Sequence, residues 1–271
     1  MKELSIRAIS GVVYVLLLIG SLFSEVALAI LIGIFGIICL TEFSRLIKLK
    51  SYVQYLIFLI LYIAFWYLCA QKSINQIGDE AIQILLVITI FVNLILIKDL
   101  FTSKRIPLFE SKRYIVTAFY LTSGFVFILL VSNYDNAFTP LLLLGSFILI
   151  WVNDSAAYMV GKNFGKQKLF PSISPKKTVE GFLGGLFFAC VSSYFIALYT
   201  ETLYFTPWLI LAIIISVFGT FGDLIESKFK RQAKVKDSGS IMPGHGGLLD
   251  RLDSIIFAAP FIYLFLRIIH F

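Results

Sequence analysis

The stretch Ala81-Ile-Gln-Ile-Leu-Leu-Val-Ile-Thr-Ile-Phe-Val-Asn-Leu-Ile-Leu-Ile97 carries no charged residue and is closed by Lys98. Its apolar residues run continuously rather than alternating, which fits a membrane-crossing helix and not a strand of an outer-membrane barrel. Eight more stretches of this kind lie near 6–22, 26–41, 52–69, 115–131, 139–160, 179–199, 207–224 and 254–270. A chain of 271 residues has room for nine spans of about 20 residues with their loops. Hydrophobic residues make up 59% and charged residues 14%, against about 45–50% and about 25% in ordinary soluble domains. That excludes a soluble globular domain and a disordered chain. No small-x-small cleavage site follows the first stretch cleanly, and a second begins within a few residues, so it reads as a span rather than a secretory leader.

The basic residues order these spans. Placed on alternating sides, 21 of the 23 Lys and Arg fall on one side, and only Lys72 and Arg267 fall on the other. One missed helix would mix the two sets. The positive-inside rule then predicts a cytoplasmic N-terminus and an external C-terminus, in a multi-pass protein of the inner, cytoplasmic membrane. The net charge of +7 therefore records topology, and no nucleic-acid partner is expected. Cys39, Cys69 and Cys190 are far apart in apolar runs and form neither metal spacing nor a disulfide framework.

The two halves differ. Residues 1–135 (spans one to five) look like scaffold, and 136–271 like a catalytic half with cytoplasmic loops at 161–178 and 225–253. Eleven of the 18 glycines fall between Gly161 and Gly247, among most of the unusual polar residues. No internal repeat supports an inverted-repeat transporter.

Four polar segments punctuate that half. Trp151, Asp154, Ser155 and Tyr158 share one helical face, and an acid inside a span costs about 2.5–3.5 kcal/mol on insertion scales, so Asp154 needs a partner or a role. Ser174-Pro-Lys-Lys-Thr178, followed by Glu180, has the Pro175 of a helix start, and Lys176 and Lys177 with nearby hydroxyls suit a phosphate at a helix N-terminus. Asp223, Glu226, Ser227, Lys230 and Arg231 line one helical face. Lys236-Asp237-Ser-Gly239 leads to Pro243-Gly-His245-Gly246-Gly247-Leu-Leu-Asp250-Arg251-Leu-Asp253. Its glycines admit phosphate oxygens close to backbone N–H groups. Asp250, Asp253 and Ser254 then share a face, and carboxylates beside such a turn suit a hard cation such as Mg²⁺. Acids for metal, bases for phosphate and a glycine loop form a set for phosphoryl or nucleotidyl transfer. No G-x-x-x-x-G-K-[ST] motif occurs, so a P-loop is excluded.

From Ser227 to Asp253 the chain resembles the signature of the phosphatidate cytidylyltransferases, the CDP-diacylglycerol synthase family. The Ser174–Gly181 and Asp154–Tyr158 segments resemble it too. In the first half only hydropathy and the Glu42-Phe43 region agree. The resemblance implies CTP + phosphatidate → CDP-diacylglycerol + pyrophosphate, a requirement for Mg²⁺, a metal centre at Asp223 and Asp250, a second cation such as K⁺, and a homodimer.

On this reading Asp253 and Asp154 orient or complete the metal shell. Lys176, Lys177, Lys230 and Arg231 bind phosphates of CTP or of the lipid. Gly246 and Gly247 admit the nucleotide, and His245 contacts its phosphates. Ser174, Thr178, Glu180, Ser227, Lys236, Asp237 and Arg251 complete the substrate-binding set. Two alternatives are a CTP-dependent polyprenol kinase, releasing CDP, and an ion or phosphate transporter using the intramembrane acids. The gathering of polar residues at one face weighs against the transporter.

Overall fold

A computed structural model describes residues 2–71, 76–102, 105–244 and 246–270. Among them the spans form nine helical rods: α1 (Lys2–Ser21), α2 (Glu25–Leu46), α3 (Val53–Ala70), α4 (Gln76–Phe101), α5 (Glu110–Val131), α6 (Pro140–Phe164), α7 (Val179–Thr200), α8 (Phe205–Ala233) and α9 (Leu249–His270). Eight are long and apolar enough to cross a bilayer, and α1 adds a shorter apolar run, Ile9–Ser21. The protein is an all-α, multi-pass membrane protein. Its described strands, β1 (Lys168–Phe170) and β2 (Ser174–Thr178), form one antiparallel hairpin between α6 and α7.

Burial separates interior helices from lipid-facing ones. The apolar window of α5 is 83% buried, against 28% for α3 and for α7. Phe187, Phe195 and Leu198 on α7 are exposed. A helix apolar all round suits hydrocarbon surroundings. α5 carries a π-helical segment, Thr117–Thr122. It includes Tyr120, whose ring lies 5.6 Å from Phe43 of α2, 6.5 Å from Phe229 of α8 and 6.1 Å from Phe257 of α9. This aromatic layer joins the helices that carry the polar residues. Where α8 crosses α9, a Cβ on Gly222 would lie 2.6 Å from the Asp253 carbonyl oxygen, so only glycine permits that approach.

Contacts between helix ends sort the charges. At one end the Lys228 ammonium donates to the carbonyls of Asp99 (2.5 Å) and Thr102 (2.7 Å), completing the C-terminus of α4. Arg113 at the start of α5 donates to the Lys48 carbonyl just past α2 (3.2 Å). At the other end Arg267 of α9 grips Asp79 of α4 through two hydrogen bonds of 2.8 and 2.9 Å.

Several boundaries depart from the sequence reading. α8 runs nine residues past 224, because Glu226 is fully buried and pairs with Lys230 one turn on. α9 begins at Leu249, ahead of 254, and the loop expected at 225–253 shrinks to 234–248. The loop expected at 161–178 is the last turn of α6 followed by the hairpin. Pro175 sits in β2, so Lys176 and Lys177 are on a strand, not a helix N-terminus. The helix starts at Val179, where the Thr178 hydroxyl accepts the Gly181 N–H (3.1 Å) as N-cap.

Candidate active site

The polar residues meet where β2 lies beside the C-terminal halves of α6 and α8 and the start of α9. On α8, Asp223, Ser227 and Glu226, Lys230 form two i, i+4 pairs: the Ser227 hydroxyl donates to Asp223 Oδ1 (3.2 Å), and Lys230 pairs with Glu226. β2 brings Lys177, whose ammonium lies 2.5 Å from Asp223 Oδ2. Burial works against the charge of Lys177, but the adjacent Asp223 carboxylate outweighs it and holds the ammonium pKa above the usual lysine value.

Asp250 opens α9 and binds in two directions. Oδ1 accepts from Lys230 Nζ at 2.6 Å. Oδ2 accepts from the Ser238 N–H (2.9 Å), the Ser238 hydroxyl (3.0 Å) and the Gly247 N–H (2.8 Å). The acid thus folds the glycine loop onto the helix start. Gly246 sits at φ +87° with Asp237 packed against it, a conformation that glycine adopts without strain. Asp253, one turn on, is buried, and its Oδ1 accepts the Ser254 N–H at 2.7 Å. Asp154 on α6 is exposed, and its Oδ1 accepts from Asn153 Nδ2 at 3.3 Å. Asp154, Asp223 and Asp253 lie near enough to repel one another electrostatically, with Lys177 attracting all three.

Other expected site residues stand further out. Glu180 accepts the N–H groups of Lys166 (3.0 Å) and Gln167 (3.1 Å), which pins the hairpin to α7. Arg231 Nε donates to the Ile173 carbonyl (3.3 Å), tying α8 to the same hairpin. Lys176, Lys236, Asp237 and Arg251 are exposed, and Ser174 is half-buried at the start of β2. His245 lies outside the described residues.

Two acids without an assigned role in the sequence reading belong here. Glu226 is one. The other is Glu42, from the half read as scaffold, buried at 2% exposure. Its Oε1 accepts the Leu248 N–H (3.2 Å), and its Oε2 accepts the Leu249 N–H (2.9 Å) and shares the single Ser238 hydroxyl proton (3.0 Å) with Asp250. It caps α9 from another helix. The available signal was an acid at the end of an apolar span, the argument applied to Asp154.

Among the described residues no group of three or more Asp, Glu, His or Cys side chains is placed to hold a metal ion. A Mg²⁺ ion that keeps waters and takes substrate phosphates needs only one or two carboxylates. Asp154, Asp223 and Asp253 offer the carboxylate oxygens that such an ion takes, with the Lys177 ammonium standing against Asp223 in its place.

Residues 5–269 match the sequence profile of the Cytidylyltransferase family. A protein of Bacillus subtilis (strain 168) named phosphatidate cytidylyltransferase is 34% identical over 99% of each chain. Two others of that name, from Staphylococcus aureus (strain COL) and Staphylococcus haemolyticus (strain JCSC1435), are 48% and 47% identical over 46% of this chain and 48% of their own. With a profile spanning nearly its whole length and a full-length relative at this identity, the chain belongs to the cytidylyltransferase family.

Proposed function

We propose that the protein transfers the cytidylyl group of CTP to phosphatidate, yielding CDP-diacylglycerol and pyrophosphate, at the cytoplasmic face of the inner membrane. The carrying observation is the chain of contacts Lys177–Asp223 and Lys230–Asp250–glycine loop. It puts cations, acids and backbone N–H donors at one end of a membrane bundle, within reach of both a water-soluble nucleotide and a lipid headgroup. The 21-to-2 charge split supports a cytoplasmic position for that end.

A phosphate oxygen of phosphatidate attacks the α-phosphorus of CTP. One P–O bond forms, the bond to the bridging oxygen of the β-phosphate breaks, and pyrophosphate leaves. The nucleophile is already anionic at neutral pH, so no general base is required. Lys177 and Lys230 exchange their carboxylates for phosphate oxygens and offset the charge of the transition state. The glycine loop, held by Asp250 and Glu42, brings N–H groups to the triphosphate. Asp223 and Asp250 are the residues that would hold Mg²⁺, which when bound neutralises phosphate charge. Asp253 and Asp154 support that centre.

Incubating the purified protein with labelled CTP, phosphatidate and Mg²⁺ tests the reading. CDP-diacylglycerol and pyrophosphate are expected in equal amounts. Release of CDP with a newly phosphorylated lipid would assign γ-phosphoryl transfer instead. Ion or phosphate flux into vesicles without CTP turnover would assign transport.

A further inference from the structure

An apolar groove of about 420 Å³ runs between α1, α2 and the glycine-rich loop. Its outer wall includes Ile9, Val13 and Leu17, all exposed on the face of α1 that would meet lipid. Its inner end reaches Leu248, the neighbour of Gly247, whose N–H binds Asp250. The Ser10 hydroxyl donates to the Pro243 carbonyl (3.1 Å) and ties α1 to the loop. In this apolar lining lies the phenol of Tyr14. Its ring stacks on Phe35 at 6.0 Å, the residue is only 8% exposed, and its hydroxyl has no hydrogen-bond partner among the described residues. Arg251 and Asp253 are near enough to act on it electrostatically. A buried hydroxyl without a partner is costly and calls for an acceptor.

We propose that this groove seats an acyl chain of phosphatidate and that the Tyr14 hydroxyl donates a hydrogen bond to an ester carbonyl of the bound lipid. The proposal rests on the reading of phosphatidate as the lipid substrate. Between its hydrocarbon and its phosphate, a diacyl lipid offers ester oxygens, which only accept. Tyr14 offers a donor at that level, between the lipid-facing mouth and the charged residues. A chain lying in the groove would direct its phosphate past Leu248 towards Lys230. Among the described residues the lining holds no charged side chain, which fits hydrocarbon better than a polar segment of protein. Tyr14 is then a specificity-determining residue from the first span.

The test uses the full chain in vesicles, with Tyr14→Phe, and compares diacyl phosphatidate with a dialkyl ether analogue that lacks the carbonyls. At saturating CTP, Tyr14→Phe should raise KM for the diacyl lipid about two- to tenfold, the scale of one hydrogen bond. KM for CTP and KM for the dialkyl lipid should match wild type. Val13→Trp, which fills the mouth, should raise KM for both lipids while helix content stays normal. An unchanged diacyl KM in Tyr14→Phe, or an equal rise with the ether analogue, would overturn the proposal. Wild-type protein that makes no CDP-diacylglycerol would refute the proposed reaction instead. In that case, binding of pyrene-labelled phosphatidate to wild type and Tyr14→Phe still reads the groove directly.

Discussion

Asp223 allows the charge of the site to be tested with little disturbance to the fold. Its side chain is about one-third exposed and its partners are Lys177 and Ser227. Asp223→Asn keeps the shape and removes the charge. It should melt close to wild type and lose at least about a hundredfold in CDP-diacylglycerol formation, the order of one lost electrostatic stabiliser. A folded variant with full turnover would remove this carboxylate from the chemistry. Asp250 is different, since its Oδ2 also holds the loop, so its replacement combines a chemical with a structural loss. Lys177 carries a pH prediction. Its ammonium is held above the usual value. Such a group stabilises the fold fully below the unfolded pKa, about 10.4, and the contribution fades as pH rises through the higher folded value. The difference in melting temperature between wild type and Lys177→Met should therefore stay constant from neutral pH to about pH 10 and shrink above it. Shrinkage near neutrality would contradict the pairing with Asp223.

At the scale of elements, α2 governs the start of α9 through one carboxylate. Glu42→Ala leaves the N–H groups of Leu248 and Leu249 without their acceptor. Loss of a helix cap costs about 0.5–2 kcal/mol. The expected outcome is a lowered melting temperature with faster proteolysis within 234–248, while Glu42→Gln, which keeps an acceptor oxygen, should recover part of both. Equal behaviour of the two variants would show that the cap is not what orders the loop. The α8–α9 crossing makes a sharper demand. In Gly222→Ala the new methyl meets the Asp253 carbonyl and the Phe257 side chain. Backbone cannot yield as a flexible side chain can, so the two helices must separate, and with them Asp223 and Asp253. Activity should fall further than stability, measured as turnover per folded protein in detergent.

For the whole molecule, the charge split predicts that a reporter fused after Phe271 lies outside the cytoplasm and one inserted near Lys104 lies inside. Both on one side would break the nine-span count. Much of the architecture was legible in the chain itself. Continuous apolar runs such as Ala81–Ile97 mark helices because lipid offers no partner for backbone N–H and C=O groups, which must pair within the segment. That constraint is local, so sequence carries it. Spacing along a helix is local too, and the shared faces of Asp223, Ser227, Glu226 and Lys230 follow from it. Partnerships across helices are not local. Glu42 with Leu249, Lys177 with Asp223 and Tyr14 with its groove join residues far apart in sequence. The hairpin that replaced an expected helix start, and the extension of α8 past 224, likewise depend on what packs against them. Sequence alone determined which segments cross the membrane and which end of the bundle gathers the charge. Tertiary structure decided which charges meet, because pairing depends on how side chains from separate helices pack, and apolar spans leave that packing unspecified.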